Sequence, residues 1–285
     1  MFSSGKVRLN RMFNTSGKCL DVATDHGIFN EREFLDGLED VPKVIAQLVE
    51  AGPDAIQMNY GQADLLQSIP GKNKPALVLR LDVGNPYNAT AHEIMFDMLQ
   101  DENNPILAAL RMDAACVICN LLLMEGEPDL HRQTVRNIGL VRSECDKYGM
   151  PLMVEPLIML PNDARGGYLP DGSDVGLLVA LVRQARELGA DIIKADPTDD
   201  PYEYHKIIEA ARCPVLVRGG GKADLKTVFE NVYPFLQQGA QGLVYGRNIY
   251  QHPNPTQVTR ALMAMIHNDA TPEEAWDVYQ SGGDS

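Results

Sequence analysis

Basic clusters, long apolar runs and a cysteine pattern typical of a disulfide framework are all missing from this chain of 285 residues. Lysine and arginine number 25 against 39 aspartates and glutamates, which gives a formal net charge of −14. We therefore expect neither nucleic acid nor a membrane as the main partner. No run approaches the length of a membrane span, and no N-terminal stretch resembles a signal peptide. The five cysteines are scattered and odd in number; reduced thiols of this kind indicate a cytoplasmic protein.

The usual cofactor motifs are either absent or badly placed. Cys116 and Cys119 form a CxxC pair, but they lie in a predicted strand, where residues three apart point to opposite faces. We therefore expect two packed thiols rather than a zinc or redox site. No GxGxxG follows the first predicted strand and no GxxxxGK(S/T) occurs, so neither a dinucleotide nor a nucleoside triphosphate is indicated. The histidines have no metal-ligand spacing.

Short apolar runs alternate with longer amphipathic patterns along the chain. The short runs predict strands buried on both faces, over residues 19–24, 55–58, 76–82, 115–122, 152–157, 191–195, 215–218 and 242–245. The longer patterns place apolar residues three and four apart, which predicts helices, and three of them end at Gly52, Gly149 and Gly189.

Eight such strand–helix units without a linker predict a single α/β domain over residues 1–285, a (β/α)8 TIM barrel. A doubly wound parallel sheet is the alternative. Residues 1–17 and the segment from about Thr271 are expected to be short peripheral extensions.

Lys194 is the most informative residue, because it lies in the apolar run of residues 190–195. Lysine is rarely buried without a partner or a use. Desolvation favours the neutral amine, the form that attacks a carbonyl to give a Schiff base. Alternatively, its ammonium group reaches solvent from the strand end. The active site of a (β/α)8 barrel lies at the C-terminal ends of its strands, so the other strand ends bear on this choice.

Two carboxylates and a histidine lie at the first and fifth strand ends. Glu155 is flanked by apolar residues, where a carboxylate needs a cation, and Lys194 on the next strand is its expected partner. Asp25 is the second candidate for acid–base catalysis, although it could instead cap a helix. His26 could shuttle a proton or could simply hydrogen-bond its loop.

Glycine-rich loops follow the last two strands. Residues Gly219-Gly220-Gly221-Lys222 follow the seventh strand and Gly246-Arg247 follow the eighth, the two places where barrels commonly bind phosphate. Glycines let the backbone approach an anion, and Lys222 and Arg247 would supply charge. These glycines could also serve only as tight turns.

A long segment, residues 160–174, follows the fifth strand on the same side of the barrel. Long loops of this kind are often functional lids. Arg165 in this loop would contact a second anionic group of the substrate, unless it is an ordinary solvated surface residue.

Four motifs together resemble the class I (Schiff-base) aldolases of the deoxyribose-phosphate, archaeal-type fructose-bisphosphate and tagatose-bisphosphate aldolase superfamily. They are LDVATDHG at residues 20–27, ADIIK at 190–194, GGGK at 219–222 and GRNIYQ at 246–251. The resemblance implies that Lys194 forms a Schiff base with a phosphorylated ketose, that Asp25 acts in acid–base catalysis or orients a hydroxyl, and that the glycine loops with Arg247 hold phosphate. It implies no metal or other cofactor, because an iminium serves as the electron sink, and it suggests a homo-oligomer.

One position departs from the archaeal fructose-bisphosphate pattern, in which a proton-transferring tyrosine ends the fifth strand. This chain has Glu155 there, similar to the glutamate of the tagatose-bisphosphate branch. Glu155 is therefore the preferred proton carrier, with Tyr168 from the loop as the fallback.

The sequence is also compatible with two other functions. The superfamily also contains a coenzyme A-dependent thiolase that acts on a phosphorylated diketone, and transaldolase-like synthases; in the thiolase case His26 would matter more. The other alternative is a non-catalytic sugar-phosphate-binding regulator, which the intact Lys194 argues against.

Overall fold

The computed structural model describes residues 7–87, 96–164 and 166–282. Its central feature is a closed barrel of eight strands. These are β1 (Cys19–Ala23), β2 (Ala55–Asn59), β3 (Ala76–Arg80), β4 (Cys116–Met124), β5 (Leu152–Pro161), β6 (Ile192–Ala195), β7 (Val215–Arg218) and β8 (Gly242–Tyr245). Each strand pairs in parallel with the next, and β8 pairs in parallel with β1. The predicted (β/α)8 TIM barrel is confirmed.

Helices surround the strands. They are α1 (Val41–Ala51), α2 (Ala63–Gln67), α3 (Leu107–Arg111), α4 (Pro128–Tyr148), α5 (Val175–Glu187), α6 (His205–Ala211), α7 (Leu225–Gln237), α8 (Pro255–Asn268) and α9 (Pro272–Ser281). The side chains of Asp40, Asp174 and Asp224 cap α1, α5 and α7 by accepting a backbone N–H in the first turn. Gly52 and Gly149 end α1 and α4 in the left-handed conformation, as their sequence positions predict. Within the described residues, no helix is long and apolar enough to cross a bilayer.

Inward-facing and outward-facing residues alternate along each barrel strand. Cys116 packs with the residues inside the barrel, whereas Cys119 packs in the layer between strands and helices. Both thiols are fully buried, so the interpretation of this CxxC as two packed cysteines is confirmed. The same alternation directs Glu155 and Lys194 inward, two residues after the interior residues Met153 and Ile192.

Three side chains within residues 7–17 form part of the core, which corrects the expectation of a peripheral extension for this stretch; residues 1–6 lie outside the described residues. Leu9, Met12 and Phe13 are buried in one cluster with residues such as Cys19 and Ala55 at the starts of strands. This segment therefore fills the N-terminal end of the barrel, opposite the predicted active site. At the C-terminus, α9 packs on the outside, against α7 and α8.

Two short strand pairs extend the C-terminal end of the barrel. The third predicted strand stops at Arg80, and Asp82–Gly84 instead pairs antiparallel with Asp97–Leu99. Tyr168–Pro170 pairs antiparallel with the end of β5, which runs further than predicted. The Tyr168–Pro170 strand contributes Leu169 and Pro170 to the wall of the cleft described below.

Candidate active site

The C-terminal ends of the strands enclose a small chamber, called here the inner chamber. Its described lining residues are Ala23, Asp25, His26, Phe29, Phe34, Arg80, Tyr87, Glu155, Lys194, Arg218, Gly219, Gly220, Val244, Gly246, Arg247 and Asn248. Among them, four side chains are cationic (Arg80, Lys194, Arg218, Arg247) and two are carboxylates (Asp25, Glu155). A chain with net charge −14 thus surrounds this chamber with an excess of positive charge, which favours an anionic ligand.

Lys194 and Glu155 form the expected buried ion pair. Lys194 Nζ lies 3.0 Å from Glu155 Oε1, and the two residues are 5% and 4% exposed. β5 and β6 are neighbours in the barrel, and their alternation turns both side chains to the interior. The alternative of an ammonium group in solvent is therefore wrong.

Arg80 is the central residue of the site that sequence reasoning missed. It is 1% exposed; its Nε donates to Asp25 Oδ2 at 2.8 Å and one Nη donates to Glu155 Oε2 at 2.6 Å. The other Nη donates to Asp82 and Asn120. The signal in the sequence is the same as for Glu155, a charged residue within a predicted apolar strand.

This arrangement keeps both carboxylates ionised. Burial alone would raise the pKa of Glu155, but the positive charges of Lys194, Arg80 and Arg218 hold it below its usual value. Burial likewise opposes ionisation of Asp25, yet Arg80 and Lys194 lower its pKa to about 2. Asp25 also accepts a 2.6 Å hydrogen bond from Gln57, so it does not serve as a helix cap.

His26 lines the chamber as a neutral imidazole. Burial lowers its pKa to about 4 against the opposing effect of Asp25. Its ring makes edge contacts with Phe29, Phe34 and Tyr250 at centroid distances of 5.4–6.2 Å. Its Nδ1 is buried and has no hydrogen-bond partner in the described part of the chain.

Both glycine loops reach the chamber. A Cβ on Gly246 would lie 2.6 Å from the backbone oxygen of Ala23, so only glycine allows the loop to approach β1 this closely. Arg247 stacks over the Phe34 ring at 4.6 Å and donates to the backbone oxygen of Gly220. The loops are therefore held together by their own side chains.

The structure differs from the sequence prediction in which basic residue of the first glycine loop faces the chamber. Lys222 is exposed and does not line the chamber, and Gly221 lines the wider cleft outside the chamber but not the chamber itself. Arg218 instead faces the chamber and forms an ion pair with the buried Asp196. Burial raises the pKa of Asp196, and the Arg218 charge opposes that effect.

The wider cleft outside the chamber is called here the outer cleft. It shares Phe34, Tyr87, Arg218, Gly220 and Arg247 with the chamber. The segment 160–174 also contributes to its wall, through Asn162, Gly166, Leu169, Pro170 and Gly172. The segment therefore lines the cleft on the predicted side of the barrel, and its action as a lid stays a prediction.

The two residues named for this loop have different outcomes. Arg165 lies outside the described residues. The Tyr168 hydroxyl donates to the backbone oxygen of Glu125 at 3.0 Å, and Tyr168 lines neither the chamber nor the outer cleft.

Comparison with known proteins agrees with this geometry. Residues 19–252 match the DeoC/LacD family aldolase domain, so the match runs from the first residue of β1 to just beyond β8. The chain belongs to the DeoC/LacD aldolase family. It is therefore an enzyme of the aldolase type, and the family resemblance carried by the four sequence motifs is confirmed.

Three known proteins are similar to this chain over most of its length. An uncharacterized aldolase of Saccharolobus solfataricus is 29% identical over 96% of this chain and 98% of its own length. A 3-hydroxy-5-phosphonooxypentane-2,4-dione thiolase of Escherichia coli is 28% identical over 96% and 86%. A solved archaeal fructose-1,6-bisphosphate aldolase, with its catalytic lysine covalently bound to the carbinolamine intermediate, is 22% identical over 92% and 99%, with a TM-score of 0.70.

Proposed function

We propose that this DeoC/LacD family member is a metal-independent class I aldolase in which Lys194 forms a Schiff base with a phosphorylated ketose. The carrying observation is the position of Lys194: 5% exposed, 3.0 Å from Glu155, and facing the same chamber as both glycine loops. A buried amine beside a carboxylate is suited to covalent catalysis.

The first step is attack of the amine on the ketose carbonyl. Lys194 must be neutral to attack, and Glu155 Oε1 lies within hydrogen-bond distance to accept its proton. The resulting iminium carries the positive charge that draws electrons from the breaking C–C bond, so no metal ion is required as a Lewis acid. Arg80 holds Glu155 and Asp25 in place on either side of itself, which fixes the geometry of both carboxylates.

The substrate phosphate is proposed to lie against Gly219, Gly220 and Gly246, with Arg247 as its charged partner. Backbone N–H groups and a guanidinium fork suit a phosphate dianion. Gly221, Lys222 and Arg165 remain predictions for the rim of this site. A cytoplasmic location and a homo-oligomeric state are part of the same proposal.

Borohydride trapping tests the proposal. The enzyme is incubated with dihydroxyacetone phosphate and sodium borohydride, and the modified peptide is located by mass spectrometry. We expect one reduced adduct on Lys194 and none in K194M. Because the proposed mechanism uses no metal ion, the yield of adduct should be the same with and without a metal chelator. Modification of another lysine, or no adduct on Lys194, would overturn the proposal.

A second candidate function is that of a coenzyme A-dependent thiolase, supported by one feature of the structure and by one relative. His26 lines the chamber with an unpartnered Nδ1, and the Escherichia coli relative is a thiolase. Turnover of a phosphorylated diketone that requires coenzyme A and is lost in H26N would favour this candidate. Ketose cleavage without coenzyme A would exclude it.

A further inference from the structure

Schiff-base chemistry needs a group that both gives and takes a proton at a substrate oxygen. The carbinolamine hydroxyl must leave as water, which requires an acid, and C–C cleavage must remove a proton from a substrate hydroxyl, which requires a base. At rest, Arg80 holds Asp25 and Glu155 as carboxylates, so both begin the cycle as bases. Glu155 gains one proton, from Lys194 in the attack step; a second group that rests in its protonated form would let the acid and base steps proceed at different substrate oxygens.

The other polar groups of the chamber are no better as acids. Arginine is not deprotonated in proteins, and His26 is a neutral imidazole. Lys194 is the nucleophile itself. Among the described lining residues of the inner chamber, Tyr87 carries the only hydroxyl group.

Tyr87 is also well placed and well held. It lines both the inner chamber and the outer cleft, so a substrate that extends from Lys194 into the cleft passes it. Its ring makes edge contacts with Phe29 and Phe34 at centroid distances of 5.1 Å. The preceding residue, Pro86, accepts a 2.9 Å backbone hydrogen bond from Tyr168, which anchors this turn to the loop after β5.

We propose that the Tyr87 hydroxyl is the proton-transfer group of the Schiff-base steps, a role that rests on the proposed function of Lys194. In dehydration, the carbinolamine C–O bond breaks, the leaving oxygen takes the phenol proton and departs as water, and the nitrogen lone pair forms the iminium. In cleavage, the tyrosinate takes the proton of the hydroxyl on the β-carbon, the bond between the α- and β-carbons breaks, and its electron pair gives the enamine. The phenol is then restored.

The charges around Tyr87 suit this cycle. Burial raises its pKa to about 12, so the phenol is protonated at rest, while Arg218 and Arg247 act in the opposite direction. Glu155 and Asp196 are the negative groups that act on it, and Asp196 is paired with Arg218. Two guanidinium groups near the oxygen are therefore available to stabilise a transient tyrosinate.

The Tyr87→Phe variant tests the assignment, with Tyr168→Phe as the matched control. Y87F keeps the ring and its contacts with Phe29 and Phe34. The rate of borohydride-trappable adduct formation on Lys194 from dihydroxyacetone phosphate is measured in each protein, together with the non-covalent affinity for inorganic phosphate. General acid–base groups contribute about 10²–10⁴-fold, so we expect Y87F to be slowed at least tenfold with phosphate affinity within threefold. Y168F should match the wild type.

Each outcome separates the two proposals. A wild-type adduct that forms equally fast in Y87F, with less than a tenfold change, refutes the role of Tyr87 and leaves the role of Lys194 intact. The same holds if Y168F is slowed as much as Y87F. No adduct on Lys194 in the wild type refutes the Schiff-base function and the Tyr87 assignment with it.

Discussion

Replacement of Arg80 by methionine perturbs the charge network on which the site depends. Arg80 is 1% exposed and forms ion pairs with Asp25, Asp82 and Glu155. Breaking a buried ion pair from one side typically costs about 3–5 kcal/mol, because the remaining charge is left uncompensated. We expect R80M to lose a free energy of unfolding of that order at pH 7, measured by urea denaturation.

The pKa of Asp25 gives a second figure for the same network. Although burial opposes ionisation, Arg80 and Lys194 lower this pKa from 3.8 to about 2; at 1.36 kcal/mol per pKa unit, this stabilises the folded protein by about 2 kcal/mol. Because the folded pKa is the lower one, this contribution is present above pH 4 and is lost as the pH falls from about 4 to 2. In R80M the folded pKa of Asp25 should rise toward or above its unfolded value, so this stabilisation should shrink or disappear.

A double variant tests the physical reason. R80M/D25N removes one of the three carboxylates that lose Arg80 as a partner, so it should be more stable than R80M alone. Arg136→Met is the control, because Arg136 forms an exposed ion pair with Glu102 and should cost far less. Equal stability of R80M and wild type, or no recovery in the double variant, would show that the network does not act as described.

Two further predictions concern the walls of the chamber. Gly246→Ala should weaken inorganic phosphate binding, measured by calorimetry, because its Cβ would meet Ala23 O at 2.6 Å; overpacking of this kind costs about 1–3 kcal/mol. Gly61→Ala, with nothing within 4 Å of the new Cβ, should bind normally, and equal affinities would contradict the close-approach argument. The His26 ring should not titrate by NMR between pH 5.5 and 8, since burial lowers its pKa to about 4. Its contribution to stability should fall as the pH drops from about 6.5 to 4, because the unfolded chain takes up the proton first; a His26 midpoint near 6.5 would contradict this.

Much of the barrel could be predicted from sequence because its strands are short, apolar and bounded by clear helix signals. The predicted strands coincide with the observed ones to within a few residues. Where the prediction failed, tertiary packing decided the outcome. Leu9, Met12 and Phe13 have the three–four spacing of a single helical turn, a pattern too short to predict burial, yet they fill the end of the barrel. Only the closed sheet creates the space that they occupy.

The sequence predicted several site residues that lie on the strands themselves or directly after them. Lys194 and Glu155 lie in apolar runs, so their burial followed from their surroundings. Arg80 gives the same signal within the predicted strand of residues 76–82, but its partners Asp25 and Glu155 are far away in the sequence, and no local pattern connects them to it. Tyr87 lies in a turn beyond β3 with no periodic pattern, and its approach to the chamber depends on contacts with Phe29 and Phe34 that no local pattern encodes.

The most direct test of the central claim is a crystal structure after a soak with dihydroxyacetone phosphate. The account predicts continuous density from Lys194 Nζ to the ketone carbon, with the phosphate against Gly219, Gly220 and Gly246 and beside Arg247. An unmodified lysine with the ligand bound elsewhere, or a phosphate far from both glycine loops, would contradict it.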